Sequence, residues 1–273
     1  MLKKFLLAGV AGLTLTGAAA AADLPRRAAP PLLPPALPIF TWTGAYFGIN
    51  AGYISSDRGL VNVGGLNGVA AGNIATGARP ASVRLESDGF TGGGQIGYNY
   101  QVGNFVLGVE ADAAYTDLDR TVGVVGTTGA LTAHRSSLDY LGTVRGRVGL
   151  AFDRVLVYGT GGFAYGNVNS SGLYFAPAGS GVLQFAGRSD RMETGWAAGG
   201  GIEYALPTES FLNFFRSSAV TIKAEGLYYD LGRRNVGIFN TGAGPAVNPG
   251  YVARFENNGF IARAGINYKF GTF

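Results

Sequence analysis

The chain has 273 residues, of which 47% are hydrophobic, 14% are charged and 46 are glycine. Soluble globular proteins carry about 25% charged residues and about 7% glycine, so this composition argues against an ordinary soluble enzyme. The absence of cysteine and the presence of a single histidine exclude disulfides, thiolate zinc sites and multi-histidine metal sites. The net charge of +4 falls to roughly +2 once the two lysines near the start are discounted, which is too little to indicate nucleic-acid binding.

Residues 1–22 predict a signal peptide. Two lysines form a positive start, residues 5–15 form an apolar stretch, and a run of alanines predicts cleavage between Ala22 and Asp23. An uncleaved membrane helix is the alternative, because the segment beyond the lysines carries no charge over a length that can span a bilayer. Export from a bacterial cytoplasm follows from the first reading.

The next segment, residues 23–40, is dominated by proline. Proline cannot donate to a sheet ladder or continue a helix, so this stretch predicts an extended periplasmic tether. Its composition is that of a linker, and spacing is the simplest role for it.

The remainder of the chain, residues 41–273, repeats one pattern. Small or apolar residues alternate with polar ones at a period of two, which is typical of a strand with one apolar face. The alternating segments are residues 45–53, 90–101, 105–115, 138–150, 155–165, 194–204, 220–229 and 260–270. Each is near the ~9–11 residues that a tilted transmembrane strand needs.

The links between these segments also alternate. Links at 102–104 and 151–154 are short and the one at 205–219 is longer. Much longer links occupy residues 55–89, 116–137, 166–191 and 230–258. Short periplasmic turns alternating with long outer loops are typical of outer-membrane barrels. We therefore predict an all-β fold: an eight-stranded, antiparallel, up-and-down transmembrane β-barrel with both chain ends in the periplasm.

Aromatic residues on the apolar face are predicted to form two girdles at the membrane interfaces, where amphipathic rings prefer to lie. The outer girdle, next to the long links, comprises Tyr53, Phe90, Tyr115, Tyr140, Tyr165, Trp196, Tyr228 and Phe260. The inner girdle, next to the turns, comprises Tyr100, Phe105, Tyr204, Tyr268 and Phe270.

The charged residues of the strands all fall on the other face, which must point into the barrel. They are Glu110, Asp112, Arg145, Arg147, Glu203, Lys223, Glu225, Arg263 and Lys269. The interior of an eight-stranded barrel is narrow enough for side chains to fill it, and an unpaired buried charge is costly. We therefore predict an interior ion network that closes the lumen.

Several patterns that could indicate other chemistry have structural explanations. The glycine run at 92–97 has the spacing of a dinucleotide fingerprint, but it lies within a predicted strand with no helix after it. Glu110 and Asp112 could be a catalytic carboxylate pair, yet Arg145 and Arg147 are predicted opposite them. His134, near the end of a long link and followed by two serines, could serve a lipid-modifying hydrolase, but no acidic residue can be placed to orient it.

The arginines of the long links are interspersed with acidic residues. They could contact the phosphates of lipopolysaccharide, or they could simply belong to solvated loops. We predict no catalytic activity, no cofactor and no metal.

Three segments resemble the alphaproteobacterial outer-membrane immunogenic proteins, which are small RopB-like, OmpA-type barrels. They are the first strand at residues 42–53, the penultimate strand at 223–232 and the last strand at 263–270. The resemblance implies a structural or surface barrel of the outer membrane, sometimes described as porin-like or haem-binding, without shared catalytic residues. This chain departs from the pattern by continuing past Phe270 to Phe273, so either phenylalanine could be the assembly signal.

Together these features predict an outer-membrane barrel with surface-exposed loops that contributes to envelope integrity. Its expected partners are outer-membrane lipid, lipopolysaccharide, periplasmic chaperones and the barrel-assembly machinery. A porin-like channel and a surface binder of haem or a host molecule are the alternatives.

Overall fold

The computed structural model describes residues 40–56, 59–177, 180–207, 210, 212–213, 219–243 and 249–270. The predicted signal peptide with its cleavage site at Ala22 and Asp23, the tether up to residue 39, and Phe273 lie outside the described residues. Within the described part of the chain, no helix is long and apolar enough to cross a membrane.

The elements in chain order are ten strands and one short helix. They are β1 (Gly44–Ser56), β2 (Leu60–Gly65), α1 (Gly68–Ala75), β3 (Ser82–Arg84), β4 (Asp88–Val102), β5 (Phe105–Val125), β6 (Leu131–Phe152), β7 (Val155–Phe175), β8 (Leu183–Ala205), β9 (Ala219–Asn240) and β10 (Gly250–Phe270). Eight strands form a closed ring in the order β1-β4-β5-β6-β7-β8-β9-β10, with every neighbouring pair antiparallel. The predicted all-β barrel with a ring of eight strands is confirmed.

Closure of the ring depends on β1 and β10, which pair from Ala45 opposite Phe270 to Ser56 opposite Gly259. At the opposite end from the chain termini, β2 replaces β1 as the partner of β10, and β3 pairs with β2. The short links were predicted correctly, because β4 joins β5 and β6 joins β7 through tight turns with positive φ at Gly103 and Asp153.

The alternation of side chains follows the predicted parity through most of the ring. On β1, for example, Ile49 is 68% exposed on the outside while the neighbouring Asn50 is buried inside. A band of exposed apolar side chains therefore surrounds the part of the barrel that lies between the two predicted girdles, and we call this part the transmembrane zone.

The long links were predicted as loops, and this is wrong. β5 to β10 are 21 to 23 residues long, so most of the predicted loop residues extend the strands beyond the transmembrane zone. We call this continuation of the wall, together with β2, β3 and α1, the outer extension. It is stable as a barrel because its inner face is apolar: residues such as Val61, Phe185 and Ile238 are buried in a single cluster, the outer core.

A second correction concerns the parity of β6. The pairing of β6 with both neighbours shifts between Leu138 and Tyr140, and the shift reverses the expected facing. Leu138, predicted on the outside, is buried in the barrel, whereas Asp139, predicted inside, is exposed. A β-bulge of this kind places an extra residue in one strand and rotates the side chains beyond it.

Helix α1 lies in the outer extension. Asn67 caps it by accepting a hydrogen bond from the Ala70 backbone N–H at 2.9 Å, and Ala70 is buried in the outer core. Arg79, which follows the helix, donates from Nη1 to the Leu131 carbonyl (2.9 Å) and from Nη2 to the Phe175 carbonyl (2.6 Å). These bonds tie the segment after α1 to β6 and β7.

Candidate functional site

The charged residues predicted to face inward do meet in the lumen of the transmembrane zone. Every member is buried, and the four acids are matched by four bases. They are Glu110, Asp112, Glu203 and Glu225, with Arg145, Arg147, Lys223 and Arg263. The balance matters because a buried charge without a partner would be strongly destabilising.

Arg145 on β6 is the centre of this network. Its Nη2 lies 2.7 Å from Glu110 Oε1 and 3.0 Å from Asp112 Oδ2, both on the adjacent strand β5. Its Nη1 lies 3.2 Å from Glu225 Oε1 on β9, across the lumen. Nε donates to Thr143 Oγ1 at 2.8 Å, so the guanidinium has a partner on each side.

Two further bases span the lumen in other directions. Arg263 on β10 places Nη1 3.0 Å from Asp112 Oδ1 and Nη2 2.6 Å from Glu225 Oε2. Lys223 on β9 places Nζ 2.9 Å from Glu110 Oε1. Together with Arg145, these side chains connect opposite walls and occupy the axis of the barrel.

A tyrosine layer extends the network towards the periplasmic end. Arg147 Nη2 lies 2.7 Å from Glu203 Oε2, and its Nη1 donates to Tyr46 Oη at 3.0 Å. Tyr46 in turn donates to Glu110 Oε2 at 2.7 Å. The Arg147 guanidinium also stacks 3.8 Å from the centre of the Tyr158 ring, a favourable cation–π contact.

Apolar clusters lie on both sides of the ion network. At the periplasmic side, Trp42 packs with Val106 and Leu156 and donates from Nε1 to the Asp153 carbonyl at 3.1 Å. At the outer side, Ile54 and Leu227 belong to a second cluster that we call the middle layer. The lumen is therefore filled by an apolar, an ionic and another apolar layer in succession.

Lys269, also predicted inside, is buried but takes no part in the ion network as described. Its Nζ donates to the Thr43 carbonyl at 2.7 Å, close to the periplasmic mouth.

The residues predicted for the two girdles lie on the outer surface. In the outer row Tyr53, Phe90, Tyr115, Trp196 and Phe260 are exposed, and Tyr140, Tyr165 and Tyr228 are half-buried. In the inner row Tyr100, Phe105, Tyr204 and Phe270 are exposed, and Tyr268 is half-buried against Phe47. Their role as interface anchors stays a prediction.

His134 lies on β6 and not in a loop, which corrects its predicted position. The imidazole is fully buried in the outer extension and meets the rings of Tyr174 and Phe255 edge to face, at centroid distances of 5.5 and 5.8 Å. Neither ring nitrogen has a hydrogen-bond partner, and burial lowers the pKa of His134 to about 4. A histidine in this setting has no nucleophile within reach to activate.

Sequence reasoning missed the neutral members of the lumen. Tyr46, Tyr158 and Trp42 were seen only as strand or motif residues, although each contacts the ion network or closes the mouth beneath it. The signal was available for Tyr46 and Tyr158, because both have the inward parity of the charged residues.

Comparisons with known proteins agree with this architecture. Residues 8–270 match the family described as outer membrane protein beta-barrel domain. The chain is 34% identical to a 31 kDa outer-membrane immunogenic protein of Brucella melitensis, over 98% of this chain and 100% of that protein. It is 41% identical to a 22 kDa outer membrane protein of Rhizobium leguminosarum over 81 residues, which cover 29% of this chain and 34% of that protein.

Among solved structures, the outer membrane protein OprG from Pseudomonas aeruginosa matches with a TM-score of 0.47 at 16% identity. The match covers 84% of this chain and 97% of that one.

Proposed function

Because the chain belongs to the family of outer membrane protein β-barrel domains, we propose that it is a structural barrel with a closed lumen that contributes to envelope integrity. Its location is the bacterial outer membrane. The outer extension would be the part that is presented at the cell surface, as the name of the Brucella relative also suggests for that protein. In this proposal the chain performs no catalysis.

The observation that carries the proposal is the set of ion pairs across the lumen. Arg145 contacts Glu225 and Lys223 contacts Glu110 from opposite walls, and all four side chains are almost fully shielded from solvent. Separating such pairs to admit a solute would leave charges in a narrow, water-poor space, at a cost of several kcal/mol. The apolar clusters on both sides add two further barriers to ions.

The proposed life history of the protein follows from the parts outside the described residues. Residues 1–22 would direct export and be removed, and residues 23–40 would tether the barrel in the periplasm. Periplasmic chaperones and the barrel-assembly machinery would then recognise the last strand through Phe270 or Phe273.

Planar-bilayer recording of the purified full chain tests the closed lumen. We expect no stable, reproducible open state, and we expect an Arg145→Ala/Glu225→Ala variant, if it assembles, to conduct more than the wild type. A reproducible open state of the wild type would instead support the porin-like alternative. A deletion strain should also become more sensitive to detergent if the barrel contributes to envelope integrity.

A further inference from the structure

The outer face of β6, β7 and β8 carries a polar strip directly beyond the outer girdle. The register places Arg135 opposite Ser171 and Ser171 opposite Arg188, so the two arginines flank one serine on three neighbouring strands. At about 4.8 Å between strands, their Cα atoms are roughly 10 Å apart. The guanidinium groups can therefore reach a common ligand between them.

The strip is concave and almost entirely polar. A surface pocket of about 240 Å³ is lined by Arg135, Arg188, Ser171, Asn169, Asp139 and Ser137, among others. Asp139 is exposed there because of the bulge in β6, and it accepts a hydrogen bond from Asn169 Nδ2 at 2.8 Å. Two guanidinium groups beside hydroxyl, amide and carboxylate groups suit a phosphorylated sugar, since arginine binds phosphate with two parallel hydrogen bonds.

The height of the strip identifies the source of that sugar. Arg135 is five residues beyond Tyr140 of the outer girdle, which is roughly 16 Å along the strand at about 3.3 Å per residue. Further out, the same face becomes apolar again at Leu131 and Leu173, which are 36% and 39% exposed. The polar strip is therefore a belt of limited height, next to the membrane surface.

Both arginines are free to exchange partners. The side chains of Arg135 and Arg188 are 59% and 72% exposed. Arg135 Nε donates to Asp119 Oδ1 at 3.0 Å, and Arg188 Nη2 lies 3.5 Å from Asp190 Oδ2. Exposed pairs of this kind contribute little to stability, so a phosphate can displace or join them without unfolding the wall.

We propose that this belt binds the phosphorylated saccharide headgroup of outer-leaflet lipopolysaccharide, with Arg135 and Arg188 holding one phosphate. Ser171 and Asn169 donate to the same headgroup, and Asp139 accepts hydrogen bonds from sugar hydroxyls. The inference deepens the proposed function, because it rests on the outward orientation of the outer extension in the outer membrane.

The test is titration of the detergent-solubilised full chain with bisphosphorylated lipid A, read by native mass spectrometry. We expect Arg135→Ala/Arg188→Ala to weaken binding by about tenfold or more, since two charge-assisted contacts are lost. Arg233→Ala/Arg254→Ala is the matched control, because both arginines are exposed on the wall formed by β9 and β10. We expect that control to bind like the wild type.

Equal affinity of the two double variants would overturn the assignment. So would full displacement of lipid A by millimolar inorganic phosphate, because the site would then recognise the free anion. Folding of each variant is checked by its heat-modifiable gel mobility. An open channel in the bilayer recording together with selective loss of lipid A binding would refute the closed lumen and leave this site standing.

Discussion

Lys223 and Glu110 meet across the full width of the barrel, with Nζ 2.9 Å from Oε1 and 3.0 Å from Oε2. Their strands, β9 and β5, are four positions apart in a ring of eight, which is the largest separation that such a ring allows. Contacts between neighbouring strands can form while the sheet is still open, but this one requires closure. The pair therefore links the chemistry of the lumen to the completion of the barrel.

Replacing one partner of this pair should cost more than replacing both. Lys223→Met leaves Glu110 short of one cation, and we expect a loss of about 3–5 kcal/mol in the free energy of unfolding. Lys223→Met/Glu110→Gln removes one charge of each sign, so it should recover part of that loss. Urea unfolding of the barrel in lipid vesicles measures both. Additive losses in the double variant would contradict the coupling, and exposed Arg254→Met serves as the neutral control.

The facing of residues within the transmembrane zone could be predicted because lipid imposes a simple rule. A charge that faces hydrocarbon is expensive, so Glu110, Arg145 and Glu225 could only point inward. Their partners across the lumen could not be predicted, because parity fixes the face of a residue but not its height or its distance to another strand. Arg147 with Tyr158 is such a contact.

The outer extension was mistaken for loops for a physical reason. Beyond the membrane the alternation changes sign: Val168 is buried inside, while its neighbours Asn167 and Asn169 lie on the outer side. A search for apolar residues on the outside therefore stops at the girdle. The inverted pattern, apolar inside and polar outside, is that of a water-soluble barrel, and it could have been found by testing both parities.

Close approach of strands at the glycine-rich part of β7 gives a second prediction. A Cβ at Gly162 would lie 2.2 Å from the Val144 carbonyl oxygen and 2.7 Å from Arg145 Cα, whereas at Gly161 its nearest neighbour would be 3.7 Å away. We expect Gly162→Ala to lower the free energy of unfolding by about 1–3 kcal/mol or to impair assembly. Gly161→Ala should leave both unchanged. Comparable yields and unfolding midpoints for the two variants would contradict this reading.

Burial of His134 predicts an acid-sensitive outer extension. Its pKa is about 4 in the folded protein and about 6.5 when unfolded, so the unfolded chain binds more protons between these values. Stability is therefore lost as the pH falls from about 6.5 towards 4, by about 3 kcal/mol in total. Hydrogen exchange in β6 and β7 should accelerate over this range.

The control for this prediction is His134→Phe, which keeps an aromatic ring between Tyr174 and Phe255 but cannot be protonated. At pH 7 its exchange should match that of the wild type, and on acidification its exchange should change less. If both proteins lose protection equally as the pH falls, carboxylates elsewhere in the outer extension are responsible and not His134.

Arg79 gives the last prediction, because one side chain fastens the segment after α1 to two strands. The guanidinium is 4% exposed and stacks 5.2 Å from the centre of the Tyr174 ring, while its two terminal nitrogens bond to carbonyls on β6 and β7. Burial lowers its pKa, yet the group stays charged because arginine titrates far above neutrality. Lysine cannot replace it, since a single ammonium cannot span both carbonyls.

We therefore expect Arg79→Lys to loosen the outer extension without affecting the transmembrane zone. Amide exchange should accelerate across residues 66–86, by an amount equivalent to about 1–3 kcal/mol for a buried carbonyl left without its donor. Arg84→Lys is the matched control, because Arg84 belongs to the same segment and its side chain is 79% exposed. Unchanged exchange in Arg79→Lys would mean that the apolar contacts of α1 with the outer core hold the segment by themselves.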